Sequence, residues 1–193
     1  MNAKSLVLIL TVGVFLVGCG HSTQPDTPRT STATTPDVPT TQASGLQPEL
    51  MKQTRLVKLY FADTTRFGLA VETRKLFDIP DRPSMILQVL STLERGPLGK
   101  LSPTVPATLT VNNVFVDGNT IFVNLKREKN HAQIGGIEGE SLLINSIANT
   151  ALAIYPEYKA VRFLVDGGET DTLLGHIDAR QSFTFNRNII VRH

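Results

Sequence analysis

Cysteine is almost missing from this 193-residue chain: there is one, Cys19. A single thiol excludes an intramolecular disulfide framework and any zinc site built on cysteine pairs. Tryptophan is absent and tyrosine occurs three times, so a deep aromatic groove for sugars has little to be built from. Of the four histidines, His21 falls in a polar segment near the start, His193 is the last residue, and His131 and His176 stand alone. No HExxH or close cluster of ligand types offers a metal site, and no metal or cofactor is expected. Charge of one sign is lacking too: 19 Lys and Arg against 17 Asp and Glu give +2. Lys126, Arg127 and Lys129 make the densest basic cluster, but Glu128 interrupts it and no aromatic interleaves with it. That is a solvated strand end, and nucleic acid is excluded as a partner.

What is present begins at the one cysteine. Lys4 supplies a short positive region, and Leu6 to Val17 form an apolar run too brief to span a bilayer comfortably. The run ends Leu16-Val17-Gly18-Cys19, with the small residue that a signal peptidase needs beside its cut. The arrangement resembles the lipobox of bacterial lipoproteins, which implies a signal peptide over 1–18 and diacylglyceryl modification of Cys19. Residues 19–51 follow as a Thr- and Pro-rich stretch, with prolines at 25, 28, 36, 39 and 48. So polar a segment buries too little surface to offset its ordering entropy, and it reads as a disordered tether with an r.m.s. reach of about 30 Å. The expected location is the extracytoplasmic face of a cell membrane, held there by lipid.

Residues 52–193 have the size of one domain. Arg55–Ala62 and Phe67–Thr73 read as a strand hairpin around Asp63-Thr64-Thr65-Arg66. Asp81 and Pro83 start a helix whose apolar stripe is Ile86, Leu87, Val89, Leu90 and Leu93, and Gly96-Pro97 ends it. Leu109–Val116 and Thr120–Leu125 flank Asp117-Gly118-Asn119, a second hairpin. A longer helix is expected from about Glu138 to Tyr155, stopped by Pro156. Its apolar face is Leu143, Ile147, Ala151 and Ile154, with Asn145, Ser146, Asn149 and Thr150 on the other side. Val161–Val165 is a strand before Asp166-Gly167-Gly168, and 173–178 is a candidate for a last extended segment. The order β-β-α-β-β-α-β argues for an α+β domain, two helices packed on one mixed or antiparallel sheet.

Each candidate for chemistry has a plainer explanation. His176 and Asp178 would share a strand face as a base and its orienting carboxylate, yet no serine sits in a nucleophile elbow. Ser141 follows Gly139-Glu140 but is followed by Leu142-Leu143, so GxSxG fails. Asp166, Glu169 and Asp171 place three carboxylates in six residues, without the alternating spacing of a calcium loop. Gly135-Gly136-Ile137-Glu138-Gly139 has the glycines of a phosphate cradle, but Glu138 and Glu140 put negative charge where the anion would sit.

A family resemblance emerges along the domain. Leu93-Glu94-Arg95-Gly96-Pro97, Val105-Pro106-Ala107-Thr108-Leu109 and the run from Val114 through Asp117-Gly118 to Leu125 resemble the GerM domain of sporulation and spore germination. So do the helix from Glu140 to Tyr155, the Val161–Gly167 strand and turn, and Gly175-His176-Ile177-Asp178, so that the likeness covers about 55–180. One departure is Asn124, where relatives often carry an acidic residue. The resemblance implies a module shaped like the ring-building motifs of envelope machines, whose work is assembly and not catalysis. Its expected partners are the membrane, through Cys19, and envelope proteins, with homo-oligomerisation left open. A sheet edge or the loop Ser102–Ala107 is the expected face for a partner. A cell-wall glycan or peptide module is the alternative, and a hydrolase ranks last.

Overall fold

The computed structural model describes residues 53–128 and 135–191. Cys19, the expected lipidation site, the expected signal and tether segments, Lys129, His131 and His193 lie outside the described residues. Strands β1 (Thr54–Asp63) and β2 (Gly68–Phe77) form an antiparallel hairpin. Helix α1 (Arg82–Glu94) follows, then the hairpin of β3 (Leu109–Asp117) and β4 (Thr120–Arg127). Helix α2 (Gly136–Leu152) crosses to β5 (Ala160–Val165), which turns back into the two-residue β6 (Gly168–Glu169).

The α+β class and the element order agree with the sequence reading, but the single sheet does not. The first hairpin is a sheet of its own, and the other strands form a second sheet in the order β3-β4-β5-β6. β4 and β5 run parallel with α2 as their crossover, and the remaining neighbours are antiparallel. Backbone pairing of this kind depends on which edges meet in space, and local periodicity carries no record of it. The proposed extended segment 173–178 is a loop.

Local chemistry explains the starts and stops. The Asp81 carboxylate accepts a hydrogen bond from the Ser84 N–H at 2.9 Å, capping α1, and Pro83 sits in its first turn. Met85, Ile86, Val89, Leu90 and Leu93 of α1 are buried. In β3 a register shift falls between Val111 and Asn113. Asn112 and Asn113 therefore both face out, and Val114 returns to the core beside Leu109 and Val111. α2 stops at Leu152, three residues before the expected end; the Ala153 N–H still donates to the Asn149 carbonyl at 3.0 Å, and Pro156 disfavours helical backbone at Tyr155.

The largest departure is α2 itself, which is buried on both of its expected faces. Leu143, Ile144, Ile147, Ala148 and Ala151 enter the main core, and Ser146, Asn149 and Thr150 are just as inaccessible. Their polar groups are all engaged. The Ser146 hydroxyl donates to the Tyr60 carbonyl, and the Tyr60 N–H donates to Thr150 Oγ1 at 3.2 Å. The helix thus meets the outer edge of β1 as another strand would. Asn149 Oδ1 accepts from the Asn186 N–H at 2.8 Å, and its Nδ2 donates to the Asn186 carbonyl at 2.9 Å. A polar stripe on a helix marks solvent only when no backbone edge waits for it.

This last pair ties the C-terminal segment to the domain, and it yields a prediction. Asn149→Ala leaves one N–H and one carbonyl of Asn186 without partners, at a cost of about 2 kcal/mol. The expected readout in native-state hydrogen exchange is faster exchange over 183–191 than over β3 and β4. Equal acceleration everywhere would show that Asn149 acts only through global stability.

Candidate functional site: a carboxylate cradle and two open surfaces

Glu140 lies one turn into α2 and its side chain is fully buried. An isolated buried carboxylate is costly, so its partners decide its role. Oε1 accepts from the N–H groups of Leu173 at 2.8 Å and Leu174 at 2.7 Å; Oε2 accepts from His176 at 2.6 Å and Ile177 at 3.0 Å. The loop can curl so tightly because Gly175, at its centre, has φ +99°, a conformation that side-chain-bearing residues rarely adopt. Arg127 clamps the same loop from β4, its Nη2 donating to the carbonyls of Thr172 at 3.1 Å and Leu173 at 2.9 Å. Burial would raise the Glu140 pKa, but the four N–H bonds outweigh it and hold the group below its usual range. The nest of N–H groups expected of an anion site exists, and the protein's own carboxylate fills it.

The other sequence candidates separate from one another. His176 is partly exposed, and its Nδ1 lies 3.3 Å from Glu140 Oε2. Asp178 turns away to Arg180, with both oxygens accepting from the guanidinium at 3.0 Å. The base-and-orienter pair is therefore not assembled. Arg180 holds the Asp178 carboxyl below its usual range through that hydrogen bonding. The three clustered acids also diverge: Glu169 pairs with Arg162 at 2.7 Å, Asp171 lies 3.7 Å from Arg180, and Asp166 Oδ1 accepts from the Arg127 N–H at 3.4 Å. Among the described residues no group of three or more His, Cys, Asp and Glu converges on a metal position. Gly135 and Gly136, with φ of +137° and +58°, only set the entry of α2. Asn124, the departure from the acidic pattern, uses its Oδ1 to accept from the Gly167 N–H at 2.9 Å. It braces the β5–β6 turn, a role that the sequence did not disclose.

Two surfaces stand out beside the cradle. The loop after α1 is stitched down: Ser102 exchanges both backbone hydrogen bonds with Ala62, at 2.8 and 3.0 Å, and Val105 is buried. Beside it, Pro103, Pro106, Ala107, Leu142 and Leu174 line an open groove of about 550 Å³. The outward face of the four-stranded sheet carries a different signal. Phe115 and Phe122 stack there with centroids 5.0 Å apart and planes 5° from parallel. The Arg162 guanidinium lies 5.9 Å from the Phe122 ring centre. Phe115 is 41% exposed, and cross-strand register places it directly opposite Phe122. Counting tryptophan and tyrosine alone had missed this pair; phenylalanines at matching positions of a hairpin were the signal.

The sequence model of the Germane family, described as sporulation and spore germination, matches residues 58–171. This chain belongs to the Germane family. Its Germane domain also shares a fold with solved structures. One is the chain of tandem GerMN domains from the Bacillus subtilis sporulation protein GerM: TM-score 0.53, 21% identity, 68% of this chain and 46% of that one covered. The first GerMN domain alone aligns at TM-score 0.48 and 22% identity over 69% of this chain and 98% of its own length. A Clostridium perfringens protein described as a lipoprotein aligns at TM-score 0.48 and 19% identity, covering 68% and 87%. No curated protein matches. The family match stops at Asp171, so the loop that holds Glu140 lies just beyond it.

Proposed function

We propose that this protein is a membrane-anchored extracytoplasmic lipoprotein whose Germane domain, residues 52–193, mediates protein–protein interaction or assembly in an envelope complex. Membership of a sporulation and spore germination family is the observation that carries this reading. The position of Cys19 at the end of Leu16-Val17-Gly18 supports the anchor. The exposed aromatic pair supports an interaction role, because a paired apolar patch on an open sheet face gains from being covered. The reading gives the domain no catalytic work: Glu140, His176 and Asp178 serve loop architecture.

Crosslinking and affinity capture of the lipidated full chain from its own membranes tests this. A reproducible envelope-protein partner is expected, and recovery of lipid and peptidoglycan alone would reject it. Phe115→Ala should lower the yield of that partner severalfold while moving the melting temperature by no more than a few degrees. Retained capture by the variant would remove the sheet face from the interaction.

A further inference from the structure

The first hairpin has two outer edges, and the fold treats them differently. Along β1 the outward backbone groups are met at Tyr60 by Ser146 and Thr150, and at Ala62 by Ser102. Along β2 the outward groups belong to Leu69, Val71, Thr73, Lys75 and Phe77, the register partners of the outward residues of β1. Only the two ends of that edge are served. The Leu69 N–H donates to Ile189 and its carbonyl accepts from Val191, at 2.8 and 2.9 Å, while the Phe77 carbonyl accepts from Gln88 Nε2 at 2.9 Å. The C-terminal segment approaches so closely at this point that a Cβ on Gly68 would lie 2.6 Å from the Ile189 carbonyl oxygen. Between these ends, Val71, Thr73 and Lys75 are exposed, and their outward N–H and C=O groups have no partner among the described residues. An unpaired edge of this length is a template for another strand.

A groove of about 750 Å³ runs between the distal part of this edge and α1. Its strand wall holds Lys75, Leu76 and Phe77, and its helix wall repeats at helical spacing through Leu87, Ser91 and Arg95. Phe77 is 61% exposed. Lys75 and Arg95 are the charged residues of the lining; among the described residues neither has an ion pair, and no carboxylate lines the groove. Glu72, the nearest acid on β2, is committed to Arg74 and to the N–H groups of Leu98 and Gly99.

We propose that the β2 edge from Val71 to Phe77, with the α1 groove beside it, binds an extended acidic peptide segment of a partner by strand addition. The backbone ladder supplies register-independent affinity; Lys75 and Arg95 select carboxylates; Phe77 and Leu87 receive an apolar side chain between them. A second copy fits less well, because β2 paired with β2 would bring the same cations to both sides of one seam. The proposal rests on reading the domain as an interaction module and gives it a second docking surface, separate from the Phe115–Phe122 face.

The test uses the full lipidated chain in detergent and three labelled probes of about eight residues, one strand length. These are an alternating Glu-Val peptide, an alternating Lys-Val peptide, and the Glu-Val peptide N-methylated at every second residue. Saturable anisotropy is expected for the first alone, with hydrogen exchange slowed over 71–77. Lys75→Glu with Arg95→Glu should weaken it about tenfold, as should Thr73→Pro, which removes one outward N–H from an edge that tolerates proline. The charge-reversal variant keeps the test informative if the proline variant fails to fold. Equal binding of Glu-Val and Lys-Val, unchanged affinity in both variants, or protection elsewhere would overturn the proposal. Slow exchange over 71–77 before any peptide is added would also overturn it, since the edge would then be covered by a second copy or another part of the chain. Envelope capture that still recovers a partner in the Lys75→Glu, Arg95→Glu background would sink this surface while leaving the interaction module intact.

Discussion

Glu140→Ala should destabilise the domain by about 3 kcal/mol, roughly 10 °C in melting temperature for a domain of this size. The substitution strips the acceptor from four N–H groups, of which those of Leu173 and Leu174 are buried beyond easy rescue by water. The gain from no longer burying a carboxylate offsets only part of that. Glu140→Gln is the sharper variant. Its shape is nearly the same, but its amide nitrogen would turn two donors toward donors, so a loss of about 2 kcal/mol is still expected. Denaturant unfolding of both variants checks this, and a glutamine variant as stable as the wild type would refute the cradle. The pH dependence follows from the same geometry. Folding lowers the pKa of Glu140, so its contribution is complete above the unfolded value of about 4.3 and is lost as pH falls through the folded one. Acid should therefore loosen the 172–178 loop in the wild type, and Glu140→Gln should lack that component.

Cys19→Ala carries the other large effect, on location and not on folding. Without the thiol no thioether to diacylglycerol can form, so the chain is expected to leave the membrane fraction entirely or to accumulate unprocessed. Fractionation with intact-mass measurement distinguishes these outcomes. Unchanged fractionation at unchanged mass would refute lipidation. The two variants are also complementary: Glu140→Ala should lower the folded fraction without changing the compartment, whereas Cys19→Ala should do the reverse.

How much of the fold is legible in the sequence has a physical boundary. Asp81, Pro83, Gly96, Asp117-Gly118 and Asp166-Gly167 act through their own backbone preferences, and the elements that they delimit were legible within a few residues. The hydrophobic stripe of α1 was legible for the same reason. Ser146, Asn149 and Thr150 were misassigned because an amphipathic pattern identifies polar side chains, not whether water or the edge of β1 will satisfy them. In the sequence Glu140 reads as a charge that repels an anion from the glycine loop, whereas its partners arrive from more than thirty residues downstream. Splitting the strands into two sheets, and folding 170–191 back along both, are decisions of tertiary pairing.

That returning segment also governs when the molecule can be finished. Leu173, Leu174 and Ala179 complete the core, Phe183 bridges to Val161, and Ile190 bridges to Leu69 near the opposite end of the domain. A ribosome or a translocation channel delivers the chain from its N-terminus. Until residues 171–191 have appeared, Glu140 has no donors, Asn149 has no partner, and the start of the β2 edge stands bare. The fold therefore carries its own timing. The contacts of residues 171–191 with α2, β2 and β5 are long-range ones that no local hairpin supplies, so closing the core is costlier in chain entropy than forming either hairpin.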